Sequence, residues 1–176
     1  MELKILTRPE QEALGPQILE MLTASDREFV PPLPARSYTT QQNLSAGEGS
    51  PEGIRQYYDQ LQTQKVMAAL EGERLLAFVS YIENYTGGPV EQADTPNIYL
   101  STLVMRPEAR GKGLTKKLYA HLFEAYQPAP VFTRTWHTNA AHIRILDFFG
   151  FETLAVLKDH RGAGIDTVYF RYLNHG

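Results

Sequence analysis

An apolar strand pattern over residues 98–105 passes through Arg110-Gly111-Lys112-Gly113-Leu114-Thr115 into a helical pattern with apolar residues at Leu114, Leu118, Leu122 and Tyr126. No other stretch restricts the fold as much. A strand that turns through glycines into a helix aims the first helical amides, which have no intrahelical carbonyl partners, at a common point. The helix dipole adds partial positive charge there, and glycines let an anion approach the backbone without meeting a Cβ. The stretch therefore reads as a cradle for a pyrophosphate or a similar anion. It is neither a Walker loop nor a dinucleotide fingerprint, because GxxxxGK[ST] and GxGxxG spacings are both absent. A tight turn with a solvated Arg and Lys is the plain alternative.

The rest of the chain supplies a sheet for this unit. Residues 3–7 alternate and read as a strand, and a helix follows from Thr7 and Pro9 to about Met21 or Leu22. The segment from Phe29 to Pro34 is too proline-rich for a helix or a central strand, and residues 36–50, with Gly47 and Gly49, read as a loop. Ser50 caps a second helix through Ile54, Tyr57, Tyr58 and Leu61, with Pro51 at its first position. Residues 65–71 and 75–85 form an antiparallel hairpin around Gly72. After the central strand and helix come a strand at 131–136, a helix at 139–149 stopped by Gly150, and strands at 151–157 and 165–172. The predicted fold is α/β (α+β): a mixed, mostly antiparallel sheet of six to seven strands flanked by helices, with most of its core in the C-terminal part.

The length of 176 residues fits one domain, 1–176. A net charge of -3 gives no general attraction to nucleic acid or anionic membrane. With no cysteine, disulfides, thiolate metal sites and cysteine nucleophiles are excluded. No histidine pair has a zinc spacing, so no metal is expected. No apolar run spans a bilayer and no secretory pattern opens the chain, so a cytoplasmic location is expected.

A second stretch, Asn139-Ala-Ala-His-Ile-Arg-Ile-Leu-Asp-Phe-Phe-Gly-Phe151, narrows the anion's identity. Together with Met105-Arg-Pro-Glu-Ala-Arg-Gly-Lys-Gly-Leu114 it resembles the GCN5-related N-acetyltransferases, the GNAT superfamily. The resemblance rests on the phosphate-loop pattern and on Asn139, Gly150 and Phe151 at the family's spacings. Element order resembles that fold throughout.

The resemblance implies acetyl-CoA as donor and direct transfer to a primary amine of a small-molecule acceptor. A non-catalytic acyl-CoA-binding protein and a protein or peptide acetyltransferase are the alternatives. It implies that Arg110, Gly111, Lys112, Gly113, Leu114 and Thr115 hold the pyrophosphate. The backbone of Leu103, Val104 and Met105 would pair with the pantetheine at a bulge where this strand splays from the next. Asn139 would bond the pantetheine, as well as or instead of capping its helix, and His142 could reach the same arm or the thiol. A homodimer is possible, since dimers are common in the superfamily.

The chain departs from the family at the chemistry. Thr115 replaces a small residue, His142 an alanine, and Leu146 the tyrosine that protonates the departing thiolate in many members. Tyr99 stands where many members carry the acidic base, with Ser101 facing the same side, and neither is a good base at neutral pH. His137, ending a strand expected beside the thioester, has a side chain suited to proton transfer; the alternative is a surface histidine. His121 and Glu124 read as solvated, and His160 and His175 are given no role. Phe29, Tyr38, Tyr57, Tyr58, Tyr81, Tyr85 and Tyr99 form either an aromatic acceptor wall or ordinary core. Glu28, Glu83 and Asp94 are candidates for attracting a cationic amine, and residues 159–164 read as a mobile loop near the acceptor.

Overall fold

The computed structural model describes residues 1–36, 39–44 and 51–175. Tyr38, Gly47, Gly49 and the expected cap Ser50 lie outside the described residues.

The chain opens with β1 (Glu2–Ile5), and Thr7 then starts a helix through a capping box. The Glu10 side chain accepts from the Thr7 amide at 2.8 Å, and the Thr7 hydroxyl accepts from the Glu10 amide. The single helix expected here is two: α1 (Arg8–Ala13) and α2 (Gly15–Ala24), meeting at Leu14. Pro16 has no N–H to continue the ladder of α1, so a new helix begins, with the proline in its first turn. Next come α3 (Pro51–Leu61), β2 (Lys65–Glu71), β3 (Arg74–Glu83), β4 (Ile98–Met105), α4 (Leu114–Tyr126), β5 (Val131–Trp136), α5 (Ala140–Phe149), β6 (Glu152–Leu157) and β7 (Thr167–Tyr172). β3 stops two residues before the expected end because Asn84 takes a positive φ of 54°. β7 starts late because residues 162–165 form a hydrogen-bonded turn.

Seven strands form one sheet in the order β1-β2-β3-β4-β5-β7-β6. Every neighbouring pair is antiparallel except β4 and β5. β2 is buried at all five interior positions, because both faces of the sheet are covered. Met67 and Ala69 join Val79, Tyr81, Leu118, Leu122 and Leu146 beneath α4 and α5. Val66, Ala68 and Leu70 join Ile18, Leu22, Tyr57, Leu61 and Phe78 beneath α2 and α3. Most buried apolar residues follow residue 64, as expected, and the N-terminal helices cover the second face of the sheet, over Val66, Ala68, Leu70 and Phe78. The apolar repeat of a helix shows that it buries a face, but not which side of the sheet receives it.

Candidate active site

The parallel ladder between β4 and β5 is three residues long: Ile98, Tyr99 and Leu100 opposite Val131, Phe132 and Thr133. Thr133 Oγ1 then donates to the Leu100 carbonyl at 3.0 Å, and beyond it the two strands part. The opposite edge of β4 carries a bulge at the same level. Tyr81 pairs with Leu100 and Ser80 with Thr102, which leaves Ser101 as the extra residue. The bulge changes which residues face which side. Before it, Ile98 and Leu100 enter the core under α4; after it, Leu103 and Met105 pack there instead, while Thr102 turns toward α3 and meets the Tyr57 hydroxyl at 2.5 Å. The parted strands open a cavity of about 560 Å³. Leu103, Val104 and Met105 line one side and Arg134, Thr135 and Trp136 the other.

One end of this cavity is a helix terminus. Gly111 and Gly113 hold positive φ values of 73° and 70°, a conformation costly to any residue with a Cβ. Gly113 is the N-cap of α4, and no side chain caps that helix. This sets α4 apart from α1 and α5, which are capped by Thr7 and Asn139. The first amides of α4 thus lack side-chain partners, while Gly111, Gly113, Leu114, Thr115 and Lys116 line the cavity. This arrangement suits an anion. Arg110 is also on the wall, held by Glu28 at 2.8 Å and by the Met105 carbonyl at 3.3 Å. Lys112 lines a separate, smaller cavity beside Arg74 and Glu108.

Asn139 stands on the wall across from β4. Its Nδ2 donates to Thr135 Oγ1 at 3.0 Å, and its Oδ1 accepts from the His142 amide at 3.5 Å. Its capping role and its position on the cavity coexist. The His142 ring shares a 2.8 Å hydrogen bond with the Tyr119 hydroxyl, and both residues line the cavity. Burial pushes the His142 imidazole down to about 4, so it is neutral near pH 7. Burial also raises the Tyr119 phenol.

The far end is built from arginines. Arg36 donates from Nε to the Pro31 carbonyl at 3.1 Å and from Nη2 to the Val30 carbonyl at 3.0 Å. Arg161 reaches the same Val30 carbonyl from Nη1 at 2.6 Å and Thr167 Oγ1 from Nε at 2.9 Å. Arg134 donates to the Gln41 carbonyl at 2.6 Å and to the Tyr169 hydroxyl at 3.2 Å. Arg36 lies over Phe29 at 5.7 Å and Arg161 over Trp136 at 5.6 Å, and those two rings are 6.4 Å apart.

Some residues expected at the site are elsewhere. Tyr99 is 1% exposed, packed with Val90, Phe132 and Tyr169, and is not on the cavity wall. Burial holds its phenol well above the usual range. His137 is also off the wall: its Nδ1 accepts from the Asp166 amide at 2.9 Å, and its own amide donates to the Asp166 carbonyl at 3.0 Å. Leu146 is buried in the core under α4, and Ser101 lines the cavity. Of the aromatics, Tyr57, Tyr81 and Tyr99 are fully buried and Phe29 lines the cavity. Glu28 is bound to Arg110, Glu83 to Lys65 and Tyr126, and Asp94 to the Glu91 amide. Tyr119, Arg36, Arg134 and Arg161 escaped the sequence reading. Arg134 carried a visible signal, a charge inside an otherwise uncharged strand pattern. Among the described residues no three His, Asp or Glu side chains gather where they would hold a metal ion, and no helix is long and apolar enough to cross a membrane.

A family model described as "Acetyltransferase (GNAT) family" matches residues 33–151. No curated protein sequence matches the chain. Among solved structures, the aminoglycoside 6'-N-acetyltransferase from Enterococcus faecium superposes with a TM-score of 0.67 at 12% identity, over 99% of this chain and 97% of that one. The ribosomal-protein-alanine N-acetyltransferase from Brucella melitensis gives 0.65 at 17% identity, over 98% and 99%. The structure of yncA from Salmonella typhimurium with its cofactor acetyl-CoA gives 0.65 at 15% identity, over 99% and 94%. At these identities the likeness is one of fold.

Proposed function

The chain belongs to the acetyltransferase (GNAT) family, and from that premise we propose that it moves an acetyl group from acetyl-CoA directly to a primary amine of a small-molecule acceptor. The observation that carries this reading is the continuity of the cavity. One space joins the uncapped N-terminus of α4 to the gap between β4 and β5 and then to the side-chain-lined end beyond it. Acetyl-CoA supplies a thioester already activated toward amines. The amides of residues 111–115 hold its pyrophosphate, with Arg110 beside them. The β5-facing edge of β4 at Leu103, Val104 and Met105, left without a strand partner, pairs with the amide-bearing arm, and Asn139 and His142 face that arm from α5. Lys112 contributes its position in the turn rather than its side chain.

The amine enters from the arginine-lined end with Ser101 at the level of the bulge. No cysteine is present to carry the acetyl group, which supports a direct route. The ammonium first loses a proton to water; its lone pair then forms the amide bond as the carbon–sulfur bond breaks, and CoA leaves as a thiolate that takes up the second proton the nitrogen sheds, relayed through water. With Tyr99 and His137 away from the wall, orientation beside the thioester supplies most of the barrier reduction.

Acetyl-CoA at a hundred times its Kd is expected to stabilise the fold by about 2.7 kcal/mol, and amines are expected to release free CoA thiol. An unmoved melting temperature would sink the reading. Binding without turnover on any amine would favour a non-catalytic acyl-CoA-binding protein, a reading that buried Leu146 also supports.

A further inference from the structure

We propose that the acceptor carries an oxyanion, a carboxylate or a phosphate, and that Arg36, Arg134 and Arg161 form the subsite that holds it. The inference rests on the acetyl-transfer reading above and adds the class of acceptor to it. Three segments far apart in sequence bring guanidinium groups to one end of the cavity. Arg36 and Arg161 are each 6% exposed and converge on a single carbonyl, that of Val30. Ion pairs among the described residues use Arg8, Arg55, Arg74, Arg106, Arg110 and Arg171, and none uses these three. Their partners are neutral: main-chain carbonyls, hydroxyls and aromatic faces.

Neutral acceptors satisfy hydrogen-bond geometry but leave the charge uncompensated, and uncompensated charge in a water-poor site is costly. The strain shows in the groups themselves. Burial, with the charge of Arg134 adding to it and Tyr57 acting against it, lowers Arg36 to about 10; burial and then Arg36 and Arg134 lower Arg161 to about 9. Capacity also remains. Arg36 Nη1 and Arg161 Nη2 bond to no described residue and retain accessible surface. Two guanidinium forks stacked on Phe29 and Trp136 present the planar, paired donors that carboxylate and phosphate oxygens match. The same cluster repels a polycation. The carboxylates that might attract one are committed elsewhere: Glu28 to Arg110, and Glu83 to Lys65.

The test separates this proposal from the transfer reading by measuring each end of the cavity independently. With the donor end saturated by CoA, calorimetry with glutarate and with inorganic phosphate reports the arginine subsite alone. Binding of either is expected, weakened at least tenfold by Arg161→Gln, while that variant's affinity for acetyl-CoA stays within twofold of the parent. Retained acetyl-CoA binding also shows that the variant is folded. Arg161→Lys, which keeps the charge and loses the fork, is expected to fall between them. Turnover is then compared across glutamate, phosphoethanolamine, spermidine and kanamycin. A higher kcat/KM for glutamate or phosphoethanolamine supports the proposal, and the better of the two identifies carboxylate or phosphate as the group read. If neither glutarate nor phosphate binds, or if spermidine or kanamycin is the best acceptor, the proposal is wrong even where acetyl transfer itself stands.

Discussion

At one end of the cavity the donors are main-chain amides of residues 111–115; at the other they are three guanidinium side chains. The first set comes from five consecutive residues and depends on two glycines with positive φ. The second depends on side chains as distant as Arg36 and Arg161, fixed by a shared carbonyl and two aromatic faces. The difference separates what a family shares from what a member chooses. A backbone cradle tolerates most side-chain changes, so one donor can serve many sequences. A side-chain pocket changes its ligand whenever a residue changes.

The sharpest way to break this contrast is at Gly113. A valine there must hold φ near +70°, which costs roughly 1–2 kcal/mol, and its branched Cβ stands where an anion approaches. Gly113→Val is expected to weaken acetyl-CoA at least tenfold while leaving glutarate binding nearly unchanged, both by calorimetry. Equal acetyl-CoA affinity in the variant would show that the amides are not the cradle.

The neutral His142 gives a second test, between the two ends. Its imidazole falls to about 4 in the fold from an ordinary value of 6.5. Between those values the unfolded chain binds more protons than the folded one, so this contribution is complete above pH 6.5 and is lost as pH falls toward 4. From pH 7 to 4.5 the parent is expected to lose up to about 3 kcal/mol more than His142→Gln, read from urea midpoints. Parallel pH profiles would place the ring in water rather than against Tyr119.

The smallest effect is expected at His137. Its bonds tie the end of β5 to Asp166, so His137→Ala should lower stability by about 1 kcal/mol and change kcat by less than about threefold, a much smaller loss than the hundredfold scale of a missing general acid or base. A larger fall in kcat with a flattened pH–rate profile would return the residue to the chemistry.

These contrasts also explain what could be read from the sequence. The hairpin, α4, β5 and α5 announce themselves through local period, glycines and caps, and their bounds agree with expectation to within a residue or two. The break at Leu14 was present too, in Gly15-Pro16, but the continuing apolar repeat hid it. The donor end was legible because its residues are contiguous. The arginine end was not, since nothing local links Arg36 to Arg134 until the Thr39 and Gln41 carbonyls close over β5. Tyr99 and His137 misled for a related reason. Position along the strand pattern says nothing of what covers a side chain: the burial of Tyr99 against Tyr85 and Tyr169 and the bonds of His137 to Asp166 come from segments outside β4 and β5.

The short ladder between β4 and β5 has a mechanical meaning. Within the sheet, β1 to β4 and β5 to β7 are two leaves hinged on three rungs, with Thr133 closing the last. A ligand that pairs with the free edge of β4 and leans on β5 adds rungs the polypeptide does not supply, and staples the leaves together. On the proposed function such a ligand is a temporary strand of the protein, completing the sheet as it binds and reopening it as it leaves.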